Sequence, residues 1–531
     1  MPDKYIVVTG GVISGIGKGV LAASTGRLLK EVGVNISTVK MDPYLNVDAG
    51  TMNPNQHGEV FVTEDGYEAD LDLGHYERFV GDNVRRQNNI TAGQIYSSVI
   101  NKERAGDYLG STVQMVPHVT SEIKERLRSV NAEVLIIEIG GTVGDIEGEI
   151  FLEAIRELYL EKGRESFLFI HTTYVPYLRT TNEFKTKPTQ QSVQLLRRIG
   201  IQPDIIVARS ETPIDFPEVR KIALFAGVTQ KNVVNLPDIK NVYQVPQQLF
   251  NLKFHHLIAN RFGLEVSDDF HWEYPTSFKP LKIGIIGKYL GTDDAYKSIN
   301  ESIFLCGVEK PTLLDAQEIE DLNEEGIKKY LGQYDALIIP GGFGKRGIEG
   351  KIKAIKYARE NNVPILGICL GMQLMVVEYA RNVKGFINAN STEFDKDTSC
   401  PVIDIMAEQK EILHMGGTMR LGAQKTPIFN GTMLKDIYEG QEVVFERHRH
   451  RYEVNLSECN EILTMPEVKK DDDSQEMLVS SKFDFVEAVE LTNHTYFVGI
   501  QYHPEYASKV GKPHPLFLSL INQAEKLKTE K

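Results

Sequence analysis

Cysteine is scarce in this 531-residue chain: there are four, Cys306, Cys369, Cys400 and Cys459, all in the second half. No two of them form a CxxC pair. That excludes a disulfide framework and a zinc ribbon, and it predicts a reducing, cytoplasmic setting. Long apolar runs are missing too. The longest uncharged apolar-rich stretch, residues 363–377, is interrupted by Pro364, Gly367, Gly371 and Gln373 and falls short of the ~18 residues that a membrane span needs. The first residues, Met1-Pro2-Asp3-Lys4-Tyr5, lead straight into a strand-like segment without a signal-peptide core. Basic charge is in deficit, 59 Lys and Arg against 73 Asp and Glu, a net −14, so the basic field of a nucleic-acid binder is not expected. Nucleotides stay open, because a pocket for phosphate needs only a few local cations. With 44 Gly and 22 Pro the chain is neither collagen-like nor linker-like, and 41% hydrophobic residues exclude disorder. At roughly 100–200 residues per domain, this length requires more than one core.

What is present is alternation of two kinds of segment. Residues 4–9, 34–39, 134–139, 167–171 and 205–208 read as strands, and 20–31, 121–128, 150–159 and 191–199 as helices between them. Strands that are apolar throughout predict a parallel sheet covered on both faces, hence an α/β fold. The pattern stalls near 262–280, around the only tryptophan, Trp272, then restarts with strands at 281–287, 336–339 and 363–368. Two α/β domains, 1–265 and 281–531, joined by a linker at 266–280, are therefore expected. The charged run 469–473 reads as a solvated loop.

Residues 9–19, Thr-Gly-Gly-Val-Ile-Ser-Gly-Ile-Gly-Lys-Gly, lie between the first strand and the first helix. Glycines let backbone N–H groups turn toward an anion, the helix N-terminus adds positive potential, and Lys18 adds a full charge. A turn that merely packs helix on strand is the plainer reading, but a lysine at the helix start favours phosphate. The spacing departs from GxxxxGK[ST]: five residues separate Gly11 from Gly17, and Gly19 stands where a magnesium-binding hydroxyl would be. Carboxylates must then supply the metal. Asp72 lies in a segment too acidic for a core. Glu138 ends an apolar strand, where a carboxylate is costly to bury without a cation, and open parallel sheets bind ligands at strand C-termini. Mg²⁺ uses one or two carboxylates with substrate phosphates. Lys40, at the end of the next strand, suits ATP phosphates, although a lone lysine is usually solvated. Lys185-Thr186-Lys187-Pro188-Thr189-Gln190 opens a helix and, with Lys221, suggests a second anion site.

The second half carries a different chemistry. Residues 363–373 form an apolar strand ending in Gly-Ile-Cys369-Leu-Gly, then a helix, which is the layout of a nucleophile elbow with Cys in place of Ser. The turn exposes the sulfur beside a helix N-terminus, favouring thiolate. Gly341-Gly342-Phe343-Gly344 offers N–H groups for an oxyanion hole, and His503-Pro504-Glu505 supplies a base and its orienting carboxylate. Taken singly, a cysteine is more often buried and inert, and a histidine more often structural. The occurrence of all three elements at strand ends favours nucleophilic catalysis. Arg447-His-Arg-His-Arg451 reads as a polar cluster near the thiol, suited to a substrate carboxylate.

Longer stretches carry a family resemblance: Gly50-Thr-Met-Asn-Pro54, residues 57–66, Asp70-Leu-Asp-Leu-Gly-His-Tyr-Glu-Arg78, Ile139-Gly-Gly-Thr-Val-Gly-Asp145-Ile-Glu147, residues 185–190 and Glu446-Arg-His-Arg-His-Arg-Tyr-Glu-Val454. The C-terminal half resembles class I glutamine amidotransferases, and the chain from Lys4 to about Leu518 resembles the CTP synthase family. The resemblance implies an N-terminal, P-loop-like parallel-sheet synthetase domain and a C-terminal α/β amidotransferase domain. It implies a ligase that phosphorylates UTP at its 4-oxygen with ATP. Ammonia, freed from glutamine through a Cys369 thioester and carried along an internal channel, then displaces phosphate to give CTP, the last step of de novo CTP synthesis. By the same resemblance Gly15, Ile16, Gly17, Lys18, Gly19, Val20, Lys40, Asp72 and Ile239 bind ATP, while Asp72 and Glu138 hold Mg²⁺. Ser14, Asp145, Ile146, Glu147, Lys185–Gln190 and Lys221 bind UTP, or CTP as feedback inhibitor. Gly342, Phe343, Leu370, Gln373, Glu393 and Arg451 bind glutamine, His57 and Val60 border the channel, and Arg346 contacts GTP, the family's activator. A homotetramer with a capacity for filaments is implied, with no nucleic-acid or membrane partner. Three departures stand out: Gly15 replaces a common Ser, Ile150 replaces a frequent proline, and the stretch from Glu393 to Gly416, which covers GTP in longer members, is short. Two other readings compete. One is an ATP-dependent amidotransferase with a carboxylate acceptor, such as a cobyrinic acid amide synthase. The other is a polymer-forming protein with vestigial sites.

Overall fold

The computed structural model describes residues 2–406, 409, 419–466 and 475–530. The chain divides into two compact units, and not at a single cut. Met1–Ala49 with Asp72–Glu273 make the first, and Gly50–Leu71 with Tyr274–Lys531 make the second. This differs from a contiguous first domain over 1–265. Residues 50–71 find their partners in the second unit: Phe61 and Val62 are fully buried, Arg447 donates to the Val62 carbonyl, and Arg449 donates to Glu68. Local composition carries no sign of such distant partners.

In the first unit, strands β1 (Lys4–Gly10), β2 (Ile36–Asp42), β3 (Asn89–Thr91), β4 (Val134–Ile139), β5 (Phe167–Tyr174), β6 (Ile205–Ser210) and β7 (Val233–Pro237) form one sheet in the order β7-β6-β5-β1-β4-β2-β3. Every pairing is parallel, as expected for strands buried on both faces. The second strand runs later than 34–39, and the short, polar β3 and the edge strand β7 were not expected. Helices α1 (Lys18–Glu31), α2 (Asp72–Val80), α3 (Lys187–Arg198) and α4 (Phe254–Phe262) pack around it. The register sets the site: Glu138 of β4 lies beside Val8 of β1 and Lys40 of β2, so both charged side chains share a position along the sheet.

The second unit has a seven-stranded sheet of β8 (Ile283–Gly287), β9 (Thr312–Asp315), β10 (Ala336–Ile339), β11 (Ile365–Ile368), β12 (Met477–Lys482), β13 (Val486–Leu491) and β14 (Phe497–Ile500), in the order β9-β8-β10-β11-β14-β13-β12. The first four pairings in this order are parallel and the last two antiparallel. Helix α5 (Ile348–Glu360) joins β10 to β11, and α6 (Leu370–Asn382) follows β11. An antiparallel pair, Arg420–Pro427 with Val443–His450, stands apart from the sheet. Alternation along the latter strand sends Arg447 and Arg449 toward residues 50–71, and Glu446, His448 and His450 the other way. No helix among the described residues is long and apolar enough to cross a membrane. The charged run 469–473 lies outside the described residues, as does part of the stretch from 393 to 416.

Candidate active sites

The loop between β1 and α1 ends on Gly17, whose φ of +92° suits glycine and turns the chain into the helix at Lys18. Lys18 is 8% exposed and donates to the Gly141 carbonyl at 2.6 Å, tying the loop to the segment after β4. Burial pushes the Lys18 amine below its ordinary pKa, with Glu138 pulling it back up. Beneath the loop, Lys40 donates to Asp72, the first residue of α2, and to Glu138 at 3.1 Å; the other Glu138 oxygen accepts from Tyr76. Burial opposes the Asp72 charge, but Lys40 and His75 outweigh it and hold the carboxyl below its usual range. Burial pushes Glu138 up despite Lys40. A Cβ on Gly19 would lie 2.8 Å from Asp72 Oδ1 and 3.4 Å from Glu138 Oε2. Two hard oxygen donors thus converge at the start of α1, a set that fits Mg²⁺ shared with phosphate oxygens. Lys40 neutralises them in the protein alone.

Helix α3 is pressed against the same loop. A Cβ on Gly11 would collide with Ser192, whose Oγ is 2.8 Å from His171 Nε2, while His171 Nδ1 meets Thr9 Oγ1 at 2.8 Å. Burial pushes His171 down to about 3, so it is neutral and serves as a hydrogen-bonded spacer. The start of α3 therefore carries Lys187, Pro188, Thr189 and Gln190 to the β5 end of the sheet. Thr189 bonds Thr173 at 3.1 Å and Gln190 bonds Thr186 at 3.0 Å, whereas Lys187 is exposed and Lys185 pairs with Glu183. Ser14, Asp145, Ile146 and Glu147 are exposed, Lys221 is exposed on the helix after β6, and Ile239 is half-buried just past β7. Apart from Lys221, which lies mid-helix, these follow strand C-termini, where such sheets bind ligands.

The second unit holds the thiol. Cys369 connects β11 to α6 with φ +53° and ψ −105°, a strained conformation for a residue with a Cβ. The turn is this sharp because helix and strand approach closely: a Cβ on Gly371 would collide with the Ile339 carbonyl, and one on Gly367 would lie 2.8 Å from the Gly371 backbone. The N–H groups of the first turn of α6 have no intrahelical partner, as at any helix start, and carry positive potential beside the thiol. His503 Nδ1 is 2.8 Å from Glu505 Oε1, and its ring lies 5.2 Å from Tyr506 at 14°. His503 Nε2 is buried without a hydrogen-bond partner. A Cβ on Gly341 would meet His503 Cε1 at 3.0 Å and Cys369 Cβ at 3.6 Å, so base, thiol and glycine loop are neighbours. Burial works against a charged imidazole, but Glu505 and Cys369 raise His503 to about 10. By contrast, burial pushes Cys306 and Cys459 up to about 12, which makes them inert.

A cavity of about 500 Å³ opens here, lined among others by Gly342, Phe343, Cys369, Glu393, Arg451 and His503. Glu393 accepts from the Gly344 N–H at 2.6 Å. Val60 lines the cavity, and its carbonyl accepts from Tyr506 at 2.9 Å. His57, exposed at the end of a short helix, is not among the lining residues. Gln373 and Leu370 also lie behind the wall: the Gln373 amide donates to the Tyr452 carbonyl at 2.9 Å and to Gln501 at 3.1 Å. Arg346 is exposed and donates to the Lys288 carbonyl. The arginine cluster is divided. Arg447 is held by residue 62, while Arg449 bonds Glu68 and the Gly50 carbonyl and stacks 5.3 Å from the Phe343 ring centre. Two contributors escaped the sequence reading. One is Gln501, whose Nε2 is 3.6 Å from the Cys369 sulfur; it lies just past β14, two residues before His503. The other is Gly50, Thr51, Met52, Pro54 and Glu59 as cavity wall, beside Val60, which the resemblance had set at the channel.

Comparison with known proteins gives the family. A family model described as "CTP synthase N-terminus" matches residues 4–264. A protein of Thermosipho africanus named CTP synthase is 66% identical over 524 residues, 99% of each chain. The chain belongs to the CTP synthase family. It is a glutamine-hydrolysing ligase, and CTP synthase is an activity of pyrimidine nucleotide biosynthesis. The CTP synthase of Thermotoga maritima is 65% identical over 518 residues, covering 97% of this chain and 98% of that protein. A class I glutamine amidotransferase model matches residues 292–523. A solved glutaminase domain of Trypanosoma brucei CTPS with bound acivicin is 35% identical over 46% of this chain and 94% of its own, with a TM-score of 0.41. The N-terminal match sets aside an amidotransferase with a carboxylate acceptor.

Proposed function

We propose that this chain aminates UTP in two separable halves, with the residues above in the following roles. At the glutaminase site, Cys369 sulfur attacks the glutamine carboxamide carbon while His503, charged and held by Glu505, passes a proton to the departing ammonia. Water then hydrolyses the thioester to glutamate. Gly342 and Leu370 N–H groups face the oxyanion, Glu393 and Arg451 hold the amino acid head, Phe343 closes over it, and Gln373 orders the wall through Gln501 and Tyr452.

At the synthetase site, residues 15–20 with Lys18 and Lys40 bind the ATP phosphates, and Ile239 packs on the adenine. Ser14, Asp145–Glu147, Lys185–Gln190 and Lys221 hold UTP, or CTP in its place. Asp72 and Glu138 hold Mg²⁺, which when bound neutralises charge on the transferring phosphoryl group. The uracil 4-oxygen takes the γ-phosphoryl group with release of ADP. Ammonia adds at C4 and phosphate leaves with the oxygen. A pyrimidine carbonyl oxygen is a poor leaving group, so the phosphoryl step comes first. Free ammonia is mostly protonated at neutral pH, which favours delivery past Val60 and His57 over loss to solvent. GTP activates near Arg346, and the working unit is a homotetramer able to form filaments.

The observation that carries this reading is the 2.8 Å His503–Glu505 pair beside the strained Cys369, in a chain that also holds the Lys18–Lys40–Asp72–Glu138 cradle. Incubation with amide-¹⁵N glutamine, ATP, Mg²⁺ and UTP should place the label on the 4-amino nitrogen of CTP, read by mass spectrometry. CTP without label, or no CTP, refutes the proposal.

A further inference from the structure

In the first unit, helix α4 opens with two adjacent histidines facing an irregular segment that follows it. Ligand atoms of His255, His256 and Asp268 all lie within 4.8 Å of one another. His255 is 1% exposed, and neither of its ring nitrogens has a hydrogen-bond partner. A buried imidazole left this way is costly unless something else takes its lone pair. Its ring is not loose: it stacks on Phe250 at 4.5 Å and 9°, Phe250 stacks on Phe270 at 5.2 Å, and Phe270 lies parallel to Trp272 at 6.4 Å. The Trp272 indole N–H is anchored on the Tyr243 carbonyl at 2.6 Å. His256 Nε2 is 2.8 Å from Asp268 Oδ1, so carboxylate and second imidazole already meet.

We infer that His255, His256 and Asp268 form a binding site for a divalent first-row transition ion, best suited to Zn²⁺. Two imidazoles and a carboxylate are borderline donors that favour zinc over the all-oxygen preferences of Mg²⁺ and Ca²⁺. The site is therefore chemically distinct from the Asp72–Glu138 oxygen pair. Lys253, at 2.7 Å from Asp268 Oδ1, neutralises the carboxylate in the protein alone and competes with the ion. Its side chain is 57% exposed and free to swing into water. A bound ion would clip α4 to residues 264–273, near the end of the first unit.

The full chain, treated with a chelator and dialysed, is titrated with Zn²⁺ alone against a chromophoric zinc competitor. One equivalent should bind, His255→Gln and His256→Asn should each weaken it at least tenfold, and Lys253→Met should tighten it at least threefold. Should His255→Gln fail to fold, the half-exposed His256 and the exposed Lys253 carry the test. Absence of competitive Zn²⁺ binding, or unchanged affinity in both His256→Asn and Lys253→Met, overturns the inference.

Discussion

Replacing Glu505 by Gln removes the charge that supports the His503 imidazolium while keeping the side chain's size. Burial alone would keep this imidazole neutral; Glu505, 2.8 Å from Nδ1, and Cys369 instead raise it from 6.5 to about 10. At ~1.4 kcal/mol per pKa unit the rise corresponds to ~5 kcal/mol in favour of the charged form. If Glu505 supplies about half or more of that, its loss raises the glutaminase barrier by ~2–4 kcal/mol, a kcat reduction of roughly 30-fold to 10³-fold. Synthesis from added ammonia should stay within about twofold. The assays are glutamate release and CTP formation with each nitrogen source. A glutaminase loss below about fivefold, or an equal loss with ammonia, refutes the reasoning. The same pair links stability to pH. Because the folded pKa is raised, its contribution is fully present below 6.5 and lost as pH rises through about 10. The melting-temperature gap between parent and Glu505→Gln should therefore be wide at pH 7 and nearly closed at pH 10.5; equal gaps would contradict the pairing.

Cys369→Ala should abolish glutamine-dependent CTP formation, by ~10³-fold or more, and retain ammonia-dependent formation, since the thiol acts in only one half; parallel loss with both nitrogen sources would deny two separable centres. Lys18→Ala should reduce synthesis from both nitrogen sources by ~10²-fold or more while glutamate release persists, and unchanged ammonia-dependent turnover would take the loop away from the phosphates. Lys351 is fully buried, bonded to the Pro340 carbonyl at 3.2 Å, and burial pushes it down to about 7. Its folded pKa lies below the ordinary 10.5, so the cost of burying its charge is full below pH 7 and shrinks as pH rises toward 10.5. Lys351→Met should then raise the melting temperature by several degrees at pH 6 and less at pH 9.5; a lower value at pH 6 would show that the amine contributes packing or bonding worth more than its desolvation costs.

Local order along the chain determined much of this protein. Runs such as 134–139 and 336–339 are apolar at nearly every position, which a doubly covered parallel strand accommodates, and they are strands. The glycines around Lys18 and Cys369 mark turns whose φ angles and close backbone approach follow from the absence of a Cβ, so both strand-to-helix turns were legible without any tertiary information. That Cys369, His503 and Glu505 stand just past apolar strands was legible from the hydrophobic pattern. Tertiary structure alone decided that residues 50–71 leave their sequence neighbours for the second unit, that strand register sets Lys40 beside Glu138, and that Gln501 and Arg449 stand behind the thiol and the Phe343 loop. It also decided that ligand atoms of His255, His256 and Asp268, twelve or more residues apart between the histidines and the aspartate, lie within 4.8 Å of one another. These are matters of pairing between distant segments. A change of one residue in register would reverse every side chain's face, and nothing within a short window of sequence specifies which distant partner a charged or polar group will meet.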